Sequence, residues 1–214
     1  MIRALKVLVF VLSLVPVGLL AWKFFGAHPA DTSSWGEGLG ANPLEVITHS
    51  TGDWTMRFLL ITLAISPLRK ITHQTWIIRF RRMLGLFAFF YGTLHFFTYI
   101  WFDKSFVLKD MLADVAQRRF ITVGFLGFVL MIPLALTSTA WSIRKLGGKR
   151  WQALHRLIYV TAIAGVLHYI WLVKSDLSKP LQYGAILAVL LGYRAVVWMK
   201  PKPSPVRKME VSQG

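Results

Sequence analysis

The sequence predicts an all-α membrane protein built as a bundle of six transmembrane helices, and three observations predict it. Of its 214 residues, 55% are hydrophobic and the mean hydropathy is positive, which is not the composition of an ordinary soluble domain. Apolar runs recur six times, most of them approaching the roughly 20 residues needed to cross about 30 Å of hydrocarbon. Lys and Arg concentrate in alternate connections between these runs, as the positive-inside rule requires.

The first run, residues 7–25, has the basic start of a leader peptide. It lacks a small-residue cleavage pattern before Trp22, Lys23, Phe24 and Phe25, so it reads as a retained anchor. The Gly- and Pro-bearing stretch that follows, about 25 residues long, shows neither strand nor long helical patterning. A short second span is expected at residues 54–67, starting as early as Thr51, and a third at 83–101. The fourth, 120–137, contains Pro133; the hydroxyls of Thr137, Ser138 and Thr139 can satisfy carbonyls that the proline frees. Spans five and six are expected at 151–173 and 181–198. Residues 1–199 form one membrane domain on this reading, and 200–214 a basic, disordered cytoplasmic tail.

Arg3 and Lys6, the Arg69–Arg82 cluster, the Arg144–Arg150 cluster and the cations after residue 199 all fall on one side of a six-span topology. Both termini are therefore expected in the cytoplasm of a multi-pass inner-membrane protein, with every acid except Glu210 outside. The net charge of +16 follows from this placement, since the cations sit where they meet anionic lipid. No nucleic-acid partner is expected. The absence of cysteine excludes disulfides, thiol catalysis and Cys-ligated metal centres.

Histidines inside spans carry the chemistry, because imidazole is costly in hydrocarbon unless it ligates, relays protons or is hydrogen-bonded. His95 lies six residues before Trp101 and His168 five before Val173, so the two are level near the outer leaflet. They are the expected axial pair of one b-type haem. His155 precedes His168 by 13 residues, about 20 Å along a helix and roughly 140° around it. Either the helix is locally distorted or the two face different neighbours. Counting back from His95 by 13 or 14 residues reaches Arg82 and Arg81, which cannot ligate haem iron but can hold propionates or a flavin phosphate. Three readings of this inner site stay open: a second haem on His155, a flavin (FMN) pocket, or a lipid-facing rim.

Arg57, near the outer end of span two, either snorkels to headgroups or meets a propionate of the outer haem. Gly85, Gly92, Gly124, Gly127 and Gly165 give clearance for a macrocycle or for helix packing. Tyr169 can line the haem edge. His28, His49 and His73 lie in loops or helix margins, His49 as a cap for the second span.

Several stretches carry a family resemblance: Arg79-Phe80-Arg81-Arg82-Met83-Leu84-Gly85, Tyr91-Gly92-Thr93-Leu94-His95, and Leu146-Gly147-Gly148-Lys149-Arg150-Trp151-Gln152-Ala153-Leu154-His155-Arg156-Leu157-Ile158-Tyr159, followed by His168-Tyr169. In these the chain resembles the MsrQ (YedZ) family, haem-binding membrane subunits of the periplasmic methionine sulfoxide reductase system. That family is similar in turn to the transmembrane domain of ferric reductases and NADPH oxidases. The resemblance implies a membrane cytochrome, an electron-transfer subunit rather than the sulfoxide-reducing one. It implies b haem and an association with FMN. It also implies a periplasmic molybdopterin partner, MsrP, with quinol or a cytoplasmic flavin reductase as donor. His95, His155 and His168 match the family's haem-associated histidines; Arg stands where the oxidases have an inner histidine on the third helix. The rival readings are a stand-alone ferric or quinone reductase and a non-enzymatic transporter or scaffold.

Overall fold

The computed structural model describes residues 2–26, 35–103, 107–173 and 175–199. The expected tail after Met199 and His28 lie outside the described residues. Among those described there is no strand, and the helices are α1 (Ile2–Phe25), α2 (Pro43–Thr72), α3 (Arg81–Thr98), α4 (Leu108–Gln117), α5 (Arg119–Leu136), α6 (Ala140–Leu146), α7 (Gly148–His155), α8 (Leu157–Leu172) and α9 (Ser178–Met199). Five helical stretches are long and apolar enough to cross a membrane: Ile2–Phe25, Thr75–Trp101, Arg119–Leu136, Gly148–Leu172 and Ser178–Met199.

The second span is not short. Asn42-Pro43-Leu44-Glu45 is a capping box: the Glu45 N–H donates to the Asn42 side chain at 3.2 Å, and the Asn42 amide donates to the Glu45 carboxylate at 2.9 Å. This cap starts α2 eleven residues before Trp54, and α2 runs 30 residues, about 45 Å. It falls below the apolarity of a lipid-facing helix because it carries Glu45, His49, Asp53 and Arg57 and buries its apolar residues, Phe58, Leu59, Leu60 and Leu63 among them, inside the bundle. His49 therefore lies within the helix and does not cap it.

The fifth span is broken. Helix α7 ends at His155 and α8 begins at Leu157, with Arg156 between them and the Tyr159 N–H reaching back only three residues to its carbonyl. In α5 the hydroxyls of Thr137 and Ser138 donate to the carbonyls of Pro133 and Leu134. They close the helix end rather than repair the carbonyl one turn before the proline, and Thr139 caps α6 by accepting from the Ser142 N–H. Helix α4 escaped the sequence reading because its ten residues are too short to span.

Two helix pairings dominate the bundle, α2 with α3 and α5 with α8. The second is close because Gly127 faces Ala164. Helix α1 packs outside, Ser13 being its one buried residue, and is pinned by Tyr91 of α3. The Tyr91 hydroxyl donates to the Ser13 carbonyl at 2.8 Å and accepts the Val17 N–H at 3.2 Å, inserting itself into the helical ladder beside Pro16. Large apolar side chains such as Val7, Trp22, Leu136 and Val189 point outward, as a lipid-facing surface demands.

Replacing Tyr91 with Phe removes the bridging oxygen from two backbone groups in apolar surroundings. It is expected to cost about 1–3 kcal/mol, read as a lowered Tm of the detergent-solubilised protein; an unchanged Tm would contradict the pinning role.

Candidate functional site

Between the two dominant helix pairs lies a cavity of about 550 Å³, within the range of cofactor sites. His95 reaches it from α3 and His168 from α8, and their ring centroids stand 6.0 Å apart with planes at 81°. The sequence placed these two level in the membrane; the fold brings their rings together edge to face.

Each imidazole is held in the same way. Nδ1 of His95 lies 3.0 Å from the Thr48 carbonyl on α2, and Nδ1 of His168 lies 2.7 Å from the Phe120 carbonyl on α5. A carbonyl can only accept, so both rings carry their proton on Nδ1 and leave Nε2 as a free lone pair. Such a second hydrogen bond is what orients a metal-ligating histidine and makes it more basic.

A glycine lies four residues beyond each carbonyl. Side chains on a helix lie over the preceding turn, so a side chain here would cover the acceptor. A Cβ on Gly124 would come within 2.5 Å of His168 Nδ1, and one on Gly52 within 3.2 Å of His95 Nδ1. Thr48 with Gly52 and Phe120 with Gly124 are therefore two copies of one local device.

Imidazole rings this close, with Nδ1 already engaged, would have their second nitrogens available to hold a metal. Among the described residues no group of three His, Asp or Glu is placed to hold a bare metal ion. Two nitrogens suffice for an iron whose remaining ligands come from a macrocycle. Met56, Leu59, Phe96, Phe128 and Met131 supply an apolar wall, and Thr161 presents a buried hydroxyl with no protein partner.

Of the other residues singled out by sequence, Gly92, Gly124, Gly127, Gly165, Tyr169 and His49 line this cavity, and Gly85 packs on Thr62 instead. Arg57 does not line it. Its guanidinium stacks 4.6 Å over Trp54 and its Nε donates to the Tyr183 hydroxyl at 3.2 Å, because its position on α2 faces α9. The basic residue at the mouth is Arg118, paired with Asp114 at 3.5 Å. It went unnoticed because it precedes span four in a stretch read as connection, beside α4, whose Met111, Leu112 and Val115 cover the same mouth. The signal was their spacing at one helical face.

His155 stands apart from this cavity. Its ring stacks on Trp151 at 3.8 Å and its Nδ1 donates to the Trp151 carbonyl at 3.1 Å. Its buried Nε2 has no hydrogen bond of ordinary geometry, although the Leu134 backbone is a further close neighbour of the ring. Arg81 and Arg82 are its electrostatic neighbours, and Arg81 also donates to the Ser66 hydroxyl at 3.4 Å. Both alternatives raised by the 13-residue step are realised together, a broken helix and different neighbours.

Over residues 51–166 the chain matches the family described as ferric reductase like transmembrane component. The protein-methionine-sulfoxide reductase heme-binding subunit MsrQ of Herminiimonas arsenicoxydans is 52% identical, over 94% of this chain and 88% of its own length. Its counterpart in Bordetella pertussis is 49% identical over 93% and 92%, and that of Ralstonia nicotianae 50% over 92% and 86%.

Gly124→Ala is expected to push the His168 ring off the Phe120 carbonyl, at a cost of about 1–3 kcal/mol. Imidazole ¹⁵N NMR should then show loss of the fixed Nδ1–H tautomer, and Gly52→Ala should perturb His95 less. Unaltered tautomers in both variants would contradict the device.

Proposed function

Since the chain belongs to the MsrQ family of haem-binding subunits, within the ferric reductase-like transmembrane proteins, we propose that it carries electrons across the bacterial inner membrane to a periplasmic methionine sulfoxide reductase. The acceptor on this reading is the molybdopterin enzyme MsrP, and the process served is repair of oxidised periplasmic proteins. The donor is quinol or a cytoplasmic flavin reductase. The observation that carries the proposal is the pairing of His95 and His168 across one apolar cavity, each ring held through Nδ1 on a helix carbonyl.

Haem b, when bound, supplies a one-electron iron couple. The residues of this chain do the rest. His95 and His168 would hold the haem iron through their imidazole nitrogens, and the Thr48 and Phe120 carbonyls fix both rings. Met56, Leu59, Phe96 and Phe128 exclude water, which tunes the potential through the local dielectric. Arg118, at the polar mouth, would be the partner for a haem propionate, whereas Arg57 lies on Trp54.

The mouth bears Glu45, Asp53 and Arg118, and the opposite end bears the Arg81 and Arg144 clusters. With the basic end cytoplasmic, both termini are cytoplasmic and the haem pair lies on the periplasmic side, next to its acceptor. The donor-side centre belongs near His155, Arg81 and Arg82. The orphaned Nε2 of His155 favours a second haem there, with FMN held through its phosphate as the rival.

Purified, reduced protein should be oxidised by methionine sulfoxide only after MsrP is added. Equal oxidation by ferric chelates without that partner would favour a stand-alone reductase. His95→Ala and His168→Ala should each abolish the low-spin haem spectrum, and Arg57→Leu should leave it intact. An unchanged spectrum in both histidine variants would sink the assignment. His155→Ala should preserve the outer haem and lower the total cofactor content, and haem and flavin assays on Arg81→Gln/Arg82→Gln should report the same loss.

A further inference from the structure

A second cavity, of about 160 Å³, opens at the basic end between α2, α8 and α9. Ser66, Lys70, Tyr159, Tyr193 and Arg194 supply its polar wall. Arg194 is only 8% exposed, unusual for an arginine in a membrane helix. Its two terminal nitrogens donate to backbone carbonyls, Nη2 to Leu63 on α2 and Nη1 to Leu190 at 3.1 Å, and its guanidinium lies 5.3 Å over the Tyr159 ring. These contacts fix the fork in place, yet all are with neutral groups.

More positive charge surrounds it. Arg81, bonded to Ser66 of the same wall, has Arg194, Arg69 and Tyr159 as electrostatic neighbours. Clustered, partly desolvated cations repel one another unless an anion opposes them. The described carboxylates do not supply it. Glu37, Glu45, Asp53, Asp110, Asp114 and Asp176 lie at the other end, and Asp53 is 17 residues from Lys70 on the same helix, about 25 Å along its axis.

We propose that this cavity is a binding site for one phosphate group, taken from a phospholipid headgroup or from a soluble phosphate. Guanidinium, ammonium and phenol donors converge there, the set that suits a tetrahedral oxyanion. The volume lies below the roughly 300–1,000 Å³ of sites that enclose a whole cofactor, so the phosphate enters and the remainder of its molecule stays outside. Trp198 and Val197 line the rim near the end of α9, at the level where headgroups meet the bundle. The site is separate from the His95/His168 cavity but adjoins the donor-side centre through Arg81, so phosphate binding and haem content are read separately.

The test uses the full-length, haem-loaded protein. Native mass spectrometry after gentle purification reads retained phospholipid, and titration of delipidated protein with inorganic phosphate, against chloride at equal ionic strength, reads the soluble source through Trp fluorescence and Tm. Wild type should hold about one phosphate equivalent by one of these routes. Lys70→Gln and Tyr193→Phe, both expected to fold, should each weaken it by about tenfold, and Arg194→Gln should abolish it, with the haem spectrum of the first two unchanged. No phospholipid adduct together with no response to phosphate in wild type overturns the proposal. So does binding of wild-type strength in both Lys70→Gln and Tyr193→Phe.

Discussion

The arrangement depends on one contact made twice, an imidazole Nδ1–H donated to a helix carbonyl that a glycine four residues later leaves open. His95 on Thr48 and His168 on Phe120 obey the same rule on different helix pairs. The contact sets the tautomer, leaves Nε2 unprotonated and ties the ligand-bearing helix to its neighbour. A backbone carbonyl already engaged in its own helix retains a second lone pair, so the device needs no polar side chain in the membrane.

The architecture follows from that contact. The dominant pairings are α2 with α3 and α5 with α8, and in each one helix brings the histidine and the other the carbonyl and glycine. The two pairs face each other across the cavity, so close packing within each pair and the separation between them are complementary requirements. Small residues serve the first, Gly127 against Ala164 being the clearest case, and the cavity lies where the pairs part. Tyr91 then fastens α1 to the outside of one pair through that helix's own backbone.

Charge divides the molecule along its long axis. The end with the histidine cavity carries Glu45, Asp53 and Asp114, and the opposite end gathers Arg69, Lys70, Arg81, Arg82 and Arg194. Ion pairs are therefore available at one end, as in Arg118 with Asp114 and Lys179 with Asp53, whereas Arg194 leans on carbonyls and an aromatic ring. A membrane protein sorted this way presents its basic end to anionic headgroups.

The sequence by itself determined what is local: helices from apolar runs, a basic and an acidic end from the order of charges, and two histidines level in depth because spans three and five run in the same direction. It also contained the capping box at Asn42 that lengthens α2, legible once read as a stop–start signal rather than as hydropathy. Only the tertiary structure decided which groups meet. Periodicity cannot say which face of α2 turns toward α9, so Arg57 went to Trp54 and Tyr183 while Arg118 took the cavity mouth. Nor can it show a carbonyl lone pair, uncovered by a glycine of its own helix, meeting an imidazole on another. Such meetings join residues tens of positions apart, and their energies exist only after the helices have packed.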